Sequence, residues 1–298
     1  MPDYGHEPIF GSFATPVNEP TFAAVESAIA AENAGFDLVS IQDHPYQPRF
    51  HDTWTLMSYI AARTSRISIT ANVFNLPLRP PAMLAKSVAT LDQLSGGRIE
   101  VGIGAGGFWD PIVAMGGPRR TPGESLVGLS EAIDIMHEMW DTSKPGGVHY
   151  RGEIYTVDGA KRGPAPAHEV GIWVGGYKPR MLGLIGGKAD GWLPSLSRLE
   201  GGLEDVARMN AVIDEAALAA GREPADIRRL FNHSGRPGSP REGRLTGPSE
   251  AWVDDLVELA IDYGMSGFII GGDDRYTLDV IGAEVIPAAR EAIRRARA

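Results

Sequence analysis

The sequence of 298 residues contains no cysteine, which excludes disulfides, thiolate metal sites and cysteine nucleophiles together. It has no apolar run of the roughly 18 residues that a membrane-spanning helix needs, and its first eight residues lack the basic and apolar stretches of a secretion signal. A basic excess is also missing: 28 Lys and Arg stand against 38 Asp and Glu, a formal net charge of −10. General affinity for nucleic acid or for an anionic membrane is therefore not expected, although the sum leaves room for local basic pockets. Zinc-protease, nucleophile-elbow and nucleotide-loop motifs are absent too, so no metal is expected. The expectation is a soluble, cytoplasmic protein acting on a small molecule.

What is present is ordinary globular composition, 43% hydrophobic and 22% charged, with 37 glycines and 22 prolines spread along the chain. Eight short apolar runs rich in β-branched residues begin near Ile9, Asp37, Arg66, Arg98, Gly171, Gly191, Arg228 and Gly267. Between them lie helical patterns over 21–34, 81–94, 123–140, 180–189, 204–220, 250–263 and 278–297; in the first, Phe22, Val25 and Ile29 share one face. Continuous apolar strands alternating with helices read as parallel βα units buried on both faces. Eight of them predict an α/β fold, a closed (β/α)8 TIM barrel, as one domain over 1–298.

The spacing breaks once. About 70 residues separate the fourth strand from the fifth, where an ordinary unit needs roughly 20–40. The alternating, glycine-punctuated stretch within about 141–168 predicts an inserted hairpin and loop. A second long loop, about 234–248, is rich in Gly, Pro and Arg and is expected to be a mobile binding loop.

In such barrels the chemistry sits at the C-terminal ends of the strands. Asp43 and His44 end the second strand, and His is the natural group to hold a cofactor carbonyl or move a proton near neutral pH. Gly104, Ala105, Gly106 and Gly107 end the fourth. Gly175 and Gly176 end the fifth and open a helix whose first turn carries Lys178, Pro179, Arg180 and Met181. Glycines let backbone approach a ligand closely, and a helix N-terminus beside two cations suits a phosphate. The same turn is equally readable as a tight connection that needs glycine only for packing.

Three blocks give a closer identification: AGFDLVSIQDH at the second strand, TSRISITANVFNLPLRPPAMLAKSVATLDQLSGGRIEVGIGAGG across the third and fourth, and IWVGGYKPRMLGLIGGKADGWLPS across the fifth and sixth. In these the chain resembles the bacterial-luciferase-like family of flavin- and deazaflavin-dependent barrel oxidoreductases, over nearly its whole length. The resemblance implies His44 beside the cofactor ring and a non-prolyl cis peptide at Asn72–Val73 backing it. It also implies Gly104 to Gly107 along the ring and ribityl chain, and Gly175, Gly176, Pro179 and Arg180 around the phosphate. The Gly-x-x-Pro-Arg-Met-Leu and Ala-Asp-Gly-Trp-Leu-Pro-Ser runs look more like the coenzyme F420 branch than the branch using reduced FMN and dioxygen. The implied activity is hydride transfer between F420 and an organic substrate; the alternatives are an FMN-dependent monooxygenase or a non-catalytic flavin-binding relative. Arg236, Arg241 and Arg244, with Arg119 and Arg120, are candidates for the polyanionic tail of that coenzyme. Some deazaflavin members carry a carboxylate proton donor where this chain has Gly107, and Asp110 is the nearest substitute. Phe13, Phe74, Phe108 and Trp109 are candidate pocket walls. The resemblance further implies a homodimer through the helices near strands two to four, around the alanine-rich stretch 82–89.

Overall fold

The computed structural model describes residues 3–238 and 240–298; Met1, Pro2 and Ser239, which the expectations for the N-terminus and for the 234–248 loop include, lie outside them. The strands, in chain order, are β1 (Ile9–Ala14), β2 (Leu38–Ile41), β3 (Ser68–Ala71), β4 (Phe74–Asn75), β5 (Ile99–Gly104), β6 (Gly147–Arg151), β7 (Thr156–Lys161), β8 (Ile172–Val174), β9 (Gly191–Trp192), β10 (Arg228–Ser234) and β11 (Gly267–Gly271). The helices are α1 (Ala23–Ala34), α2 (Thr53–Arg63), α3 (Pro81–Ser95), α4 (Trp109–Ala114), α5 (Pro122–Trp140), α6 (Pro179–Lys188), α7 (Leu203–Ala219), α8 (Ser249–Ile261), α9 (Arg275–Val280) and α10 (Ile286–Arg297).

Eight parallel strands close on themselves in the order β1, β2, β3, β5, β8, β9, β10, β11, with β11 paired back to β1. This is the predicted (β/α)8 barrel. The two-residue β4 continues the third strand and pairs with β5, Phe74 opposite Ile103. Between β3 and β4 the Asn72–Val73 peptide is cis, as the resemblance implies.

Strand alternation sends Leu38, Trp173, Leu193, Leu230 and Ile269 into the barrel, with Ile9, Phe13 and Val73 packed against them. Bulk on one strand is met by its absence on the next. A Cβ on Gly191 would stand 2.6 Å from the Trp173 ring, and one on Gly102 only 2.0 Å from the Ala71 carbonyl oxygen. The second core lies between the outer faces of the strands and the helices. Gly35 and Gly96 end α1 and α3 with φ of +94° and +76°, a conformation that costs other residues energy, and so turn the chain into the next strand.

The insertion is the antiparallel hairpin β6–β7. Buried Glu131 of α5 fixes its turn by accepting hydrogen bonds from the N–H groups of Glu153, Ile154 and Tyr155 at 2.6, 3.1 and 2.8 Å. Two helices were not read from the pattern. In α2 Asp52 caps the N-terminus by accepting from the Thr55 N–H at 2.8 Å, and α4 has only six residues and a single buried side chain, Ile112. The helix expected over 278–297 is a broken one: α9 and α10 flank a π turn over Ile281–Val285. Pro287, at the start of α10, has no N–H to give to the preceding turn, and its ring crowds the carbonyl four residues earlier.

Candidate active site

The C-terminal mouth of the barrel gathers the residues that the sequence singles out. Asp43 lies two residues beyond the end of β2 and is buried. Its carboxylate accepts from Arg79 Nε at 2.6 Å, from a second Arg79 nitrogen at 2.7 Å and from the Asn75 N–H at 2.9 Å. Arg79 also pairs with Asp52 at the start of α2, at 2.8 Å. Asp43 is thus expected on sequence to act in catalysis, but the geometry places both its oxygens in a lock between β2, β4 and α2. It has no surface left to meet a ligand, and it stands beside His44 in the chain.

The His44 imidazole is half-buried between two aromatic rings. Tyr46 stacks on it with centroids 5.4 Å apart and 17° between planes, and Phe108 meets it edge-on at 5.4 Å and 71°. Burial lowers the pKa of His44, opposed by the nearby Asp43 charge. The ring is therefore neutral at physiological pH and holds one nitrogen free to accept a proton. Phe108 is 55% exposed despite its size. The Tyr46 hydroxyl is buried without a hydrogen-bond partner, and burial raises its pKa, so it keeps its proton.

Across the mouth runs a chain of polar side chains. Asn72 Nδ2 donates to Asn232 Oδ1 at 2.6 Å, and Asn232 Nδ2 donates to the Pro194 carbonyl at 3.2 Å. Ser40 Oγ donates to the Ser12 carbonyl at 3.1 Å. The Tyr177 hydroxyl accepts from the Ser195 N–H at 2.9 Å and Trp192 Nε1 donates to the Gly176 carbonyl at 2.8 Å, which ties the turn after β8 to β9. A cavity of about 400 Å³ opens above this floor, lined by Phe13, Asn72, Ser195, Asn232, Ser234, Ile269 and Gly271 among others. Asn232 and Ser195 are not among the residues singled out from the sequence. Each lies two residues beyond an inward-facing leucine, Leu230 or Leu193, and that spacing is the signal that could have found them.

Next around the barrel lie the glycines at the ends of β5 and β8. Val73 reaches under Gly104, where an added Cβ would stand 2.6 Å from it, and Trp109 packs over Gly106. Ala105 between them is buried. Gly107 and Gly175 differ from these. A Cβ on Gly107 would meet nothing within 4 Å, and one on Gly175 would meet only Leu193 O at 3.8 Å and Val73 Cγ1 at 3.9 Å. Neither has a positive φ. Neither packing nor backbone conformation demands glycine at these two positions. Gly176 is held by the Met181 side chain, 2.2 Å from where its Cβ would be. Pro179 opens α6, and Lys178 and Arg180 are exposed at its N-terminus with no hydrogen bond or ion pair from their side chains among the described residues.

Other candidates are engaged elsewhere. Arg241 forms an ion pair with Asp255 at 2.8 Å, and Arg244 pairs with Glu258. Arg119 pairs with Asp110 in the open, and Arg120 lies over the Tyr155 ring of the insertion at 4.9 Å. Each of these four arginines has a partner within the protein, and Arg236 lies over the Tyr276 ring at 5.5 Å. Phe74 is completely buried against Trp54 and is core, whereas Phe13 does line the cavity. The His233 imidazole turns outward under the loop, with Nε2 3.3 Å from the Leu245 carbonyl and the ring edge-on to Trp252.

Comparison with known proteins follows the same lines. The profile of the family described as "Luciferase-like monooxygenase" matches residues 9–234. An F420-dependent glucose-6-phosphate dehydrogenase of Nakamurella multipartita is 32% identical over 174 residues, covering 56% of this chain and 50% of that protein, so the chain spans half that relative's length. A 5,10-methylenetetrahydromethanopterin reductase of Archaeoglobus fulgidus is 30% identical over 320 residues, covering 86% of this chain and 92% of the relative. Among solved structures, an F420-dependent secondary alcohol dehydrogenase in complex with an F420-acetone adduct superposes with a TM-score of 0.82 at 21% identity, over 95% of this chain and 99% of that one. At that identity the likeness supports the fold.

Proposed function

The chain belongs to the luciferase-like monooxygenase family, and from that premise we propose that it is an oxidoreductase moving a hydride between coenzyme F420 and a small organic substrate seated over the strand ends. The observation that carries the reading is the cradle of bare backbone at Gly107 and Gly175, glycines that nothing in the protein requires, beside the cationic N-terminus of α6. An exposed helix N-terminus with Lys178 and Arg180 suits a phosphate. Relatives named for F420 dependence support the choice of cofactor.

When bound, the deazaflavin accepts or donates the hydride, and the protein's part is to orient and to keep water out. Gly104, Gly106 and Gly107 would pass along the ring and its side chain, with Val73 behind. Gly175, Gly176 and the first turn of α6 would hold the phosphate. Asp43 and Arg79 fix the loop that carries His44. The neutral His44 imidazole holds a nitrogen lone pair that can take the proton released when a substrate hydroxyl is oxidised, and return it in the reverse direction. Tyr46 and Phe108 wall His44 from water.

Titration of the pure protein with oxidised coenzyme F420 and with FMN tests the reading. F420 binding at least tenfold tighter than FMN is the expected result; failure of F420 to bind overturns it. The family's description favours one second reading, a monooxygenase using reduced FMN and dioxygen. Oxygen consumption coupled to a flavin reductase would support it. The reading extends to a homodimer through α2 and α3. Tyr59, Met83 and Leu94 are exposed there, while Ala85 and Ala89 of the alanine-rich stretch are buried within the subunit. Sedimentation showing a monomer at working concentration would remove that part.

A further inference from the structure

The barrel mouth is electrostatically divided, and the division bears on what the substrate is. Lys178 and Arg180, which have no ion pair among the described residues, stand on the α6 side with the glycine cradle; Arg198, beyond the cavity's rim, is unpaired among them as well. The 400 Å³ cavity on the β9–β11 side is lined by no Lys, Arg, Asp or Glu. Its one titratable lining residue, His233, directs its imidazole away toward Leu245 and Trp252. Arg198, on the same short turn as Ser197, is exposed and does not line the cavity.

What the cavity does offer is hydrogen bonding. Ser195, Ser197 and Ser234 line it, and their side-chain hydroxyls have no hydrogen-bond partner among the described residues. Each can donate or accept. Asn72 and Asn232 are joined to each other and to the Pro194 carbonyl, which fixes the floor and leaves the serines as the adaptable groups. Phe13, Leu196 and Ile269 supply apolar wall for a carbon skeleton. A phosphate or carboxylate placed here would lose water and find no cation among the lining residues, which is costly, whereas a hydroxyl or carbonyl would find partners at once. The volume is at the small end for ligand sites.

We propose that this cavity is the substrate subsite and that it selects an uncharged molecule bearing hydroxyl or carbonyl groups, rejecting phosphorylated and carboxylated analogues. The assignment as a substrate subsite rests on the proposed cofactor placement over the glycine cradle. Discrimination is set here by the absence of a cation as much as by the serines.

The test measures binding of matched probes, cyclohexanol with cyclohexyl phosphate and glucose with glucose 6-phosphate, by ligand-observed NMR on the full-length protein. Each pair is run on coenzyme-free and on F420-saturated protein. At least one neutral probe is expected to bind at least tenfold tighter than its phosphate ester in both states. Ser197→Arg, at an exposed position that tolerates a long side chain, is expected to narrow that ratio at least tenfold. The proposal is overturned by a phosphate ester that binds the unaltered protein as tightly as its parent. It is equally overturned if neither neutral probe binds, or if the ratio survives Ser197→Arg. Absence of F420 binding with the neutral preference intact strikes the cofactor reading alone, because the preference is also read without coenzyme.

Discussion

At the scale of single residues, the glycines separate into those the fold needs and those it does not. Gly102 faces the Ala71 carbonyl oxygen at 2.0 Å from a would-be Cβ, so Gly102→Ala is expected to destabilise by overpacking, by at least about 1–3 kcal/mol. Gly175→Ala meets only ordinary contacts at 3.8 and 3.9 Å. It is expected to leave the thermal midpoint within about 2 °C while weakening F420 binding at least fivefold, since the added methyl stands where the cofactor would lie. Equal binding by Gly175→Ala would show that the cradle is only a tight turn. Asp43 gives the complementary case. Removing its partner with Arg79→Met strands a carboxylate with no exposure, a loss on the order of 3–5 kcal/mol by denaturant unfolding. The residue types here were legible in sequence: Asp43, His44, the glycines and the Asn72–Val73 bond all sit where the pattern and the resemblance put them. Their division of labour was not. That Asp43 is locked by Arg79 depends on a contact between segments 36 residues apart, and no local spacing encodes it.

At the scale of elements, the eight barrel strands and most helices follow from apolar runs and glycine stops, because each is decided by its own side chains. The departures arise where a neighbour decides. The loop after β10 shows this best. Its arginines read as a free cationic surface, but α8 presents Asp255 and Glu258 to them. Asp255 accepts from Arg241 at 2.8 Å and from the Leu245 N–H at 2.7 Å, which presses Leu245 into the core. The His233 imidazole, next to the Leu245 carbonyl, adds a third tie from β10. This loop is fastened at several points along its described length. Asp255→Asn weakens the Arg241 contact and is expected to raise the rate of proteolytic cleavage within 235–248 several-fold, with little change in cleavage elsewhere. Uniform cleavage along the chain, or none gained, would show that these ties do not hold the loop.

At the scale of the whole molecule, titration links the base of the barrel to overall stability. His168, where the insertion returns to β8, lies 2.9 Å from Asp92 at the end of α3 and 3.4 Å from Glu100 in β5. The hydrogen bond that its Nε2–H donates to Glu100, opposed by burial and helped by Asp92, raises its pKa to about 9. A histidine raised in the folded state stabilises most below its unfolded pKa of about 6.5, and that stabilisation is lost as pH rises through 9. His6, His44 and His233 run the other way, because burial lowers each of them. The unfolded chain binds their protons more readily, so stability falls as pH drops below about 6.5. The two signs together place greatest stability near pH 6.5, with the His168 contribution declining from there to about pH 9. Thermal melts across pH 5 to 10 are expected to show that maximum. In His168→Gln the fall between about pH 6.5 and 9 should flatten while the acid limb stays. An alkaline limb unchanged in that variant would assign the loss to other groups and leave His168 as a neutral strut between the insertion and the barrel.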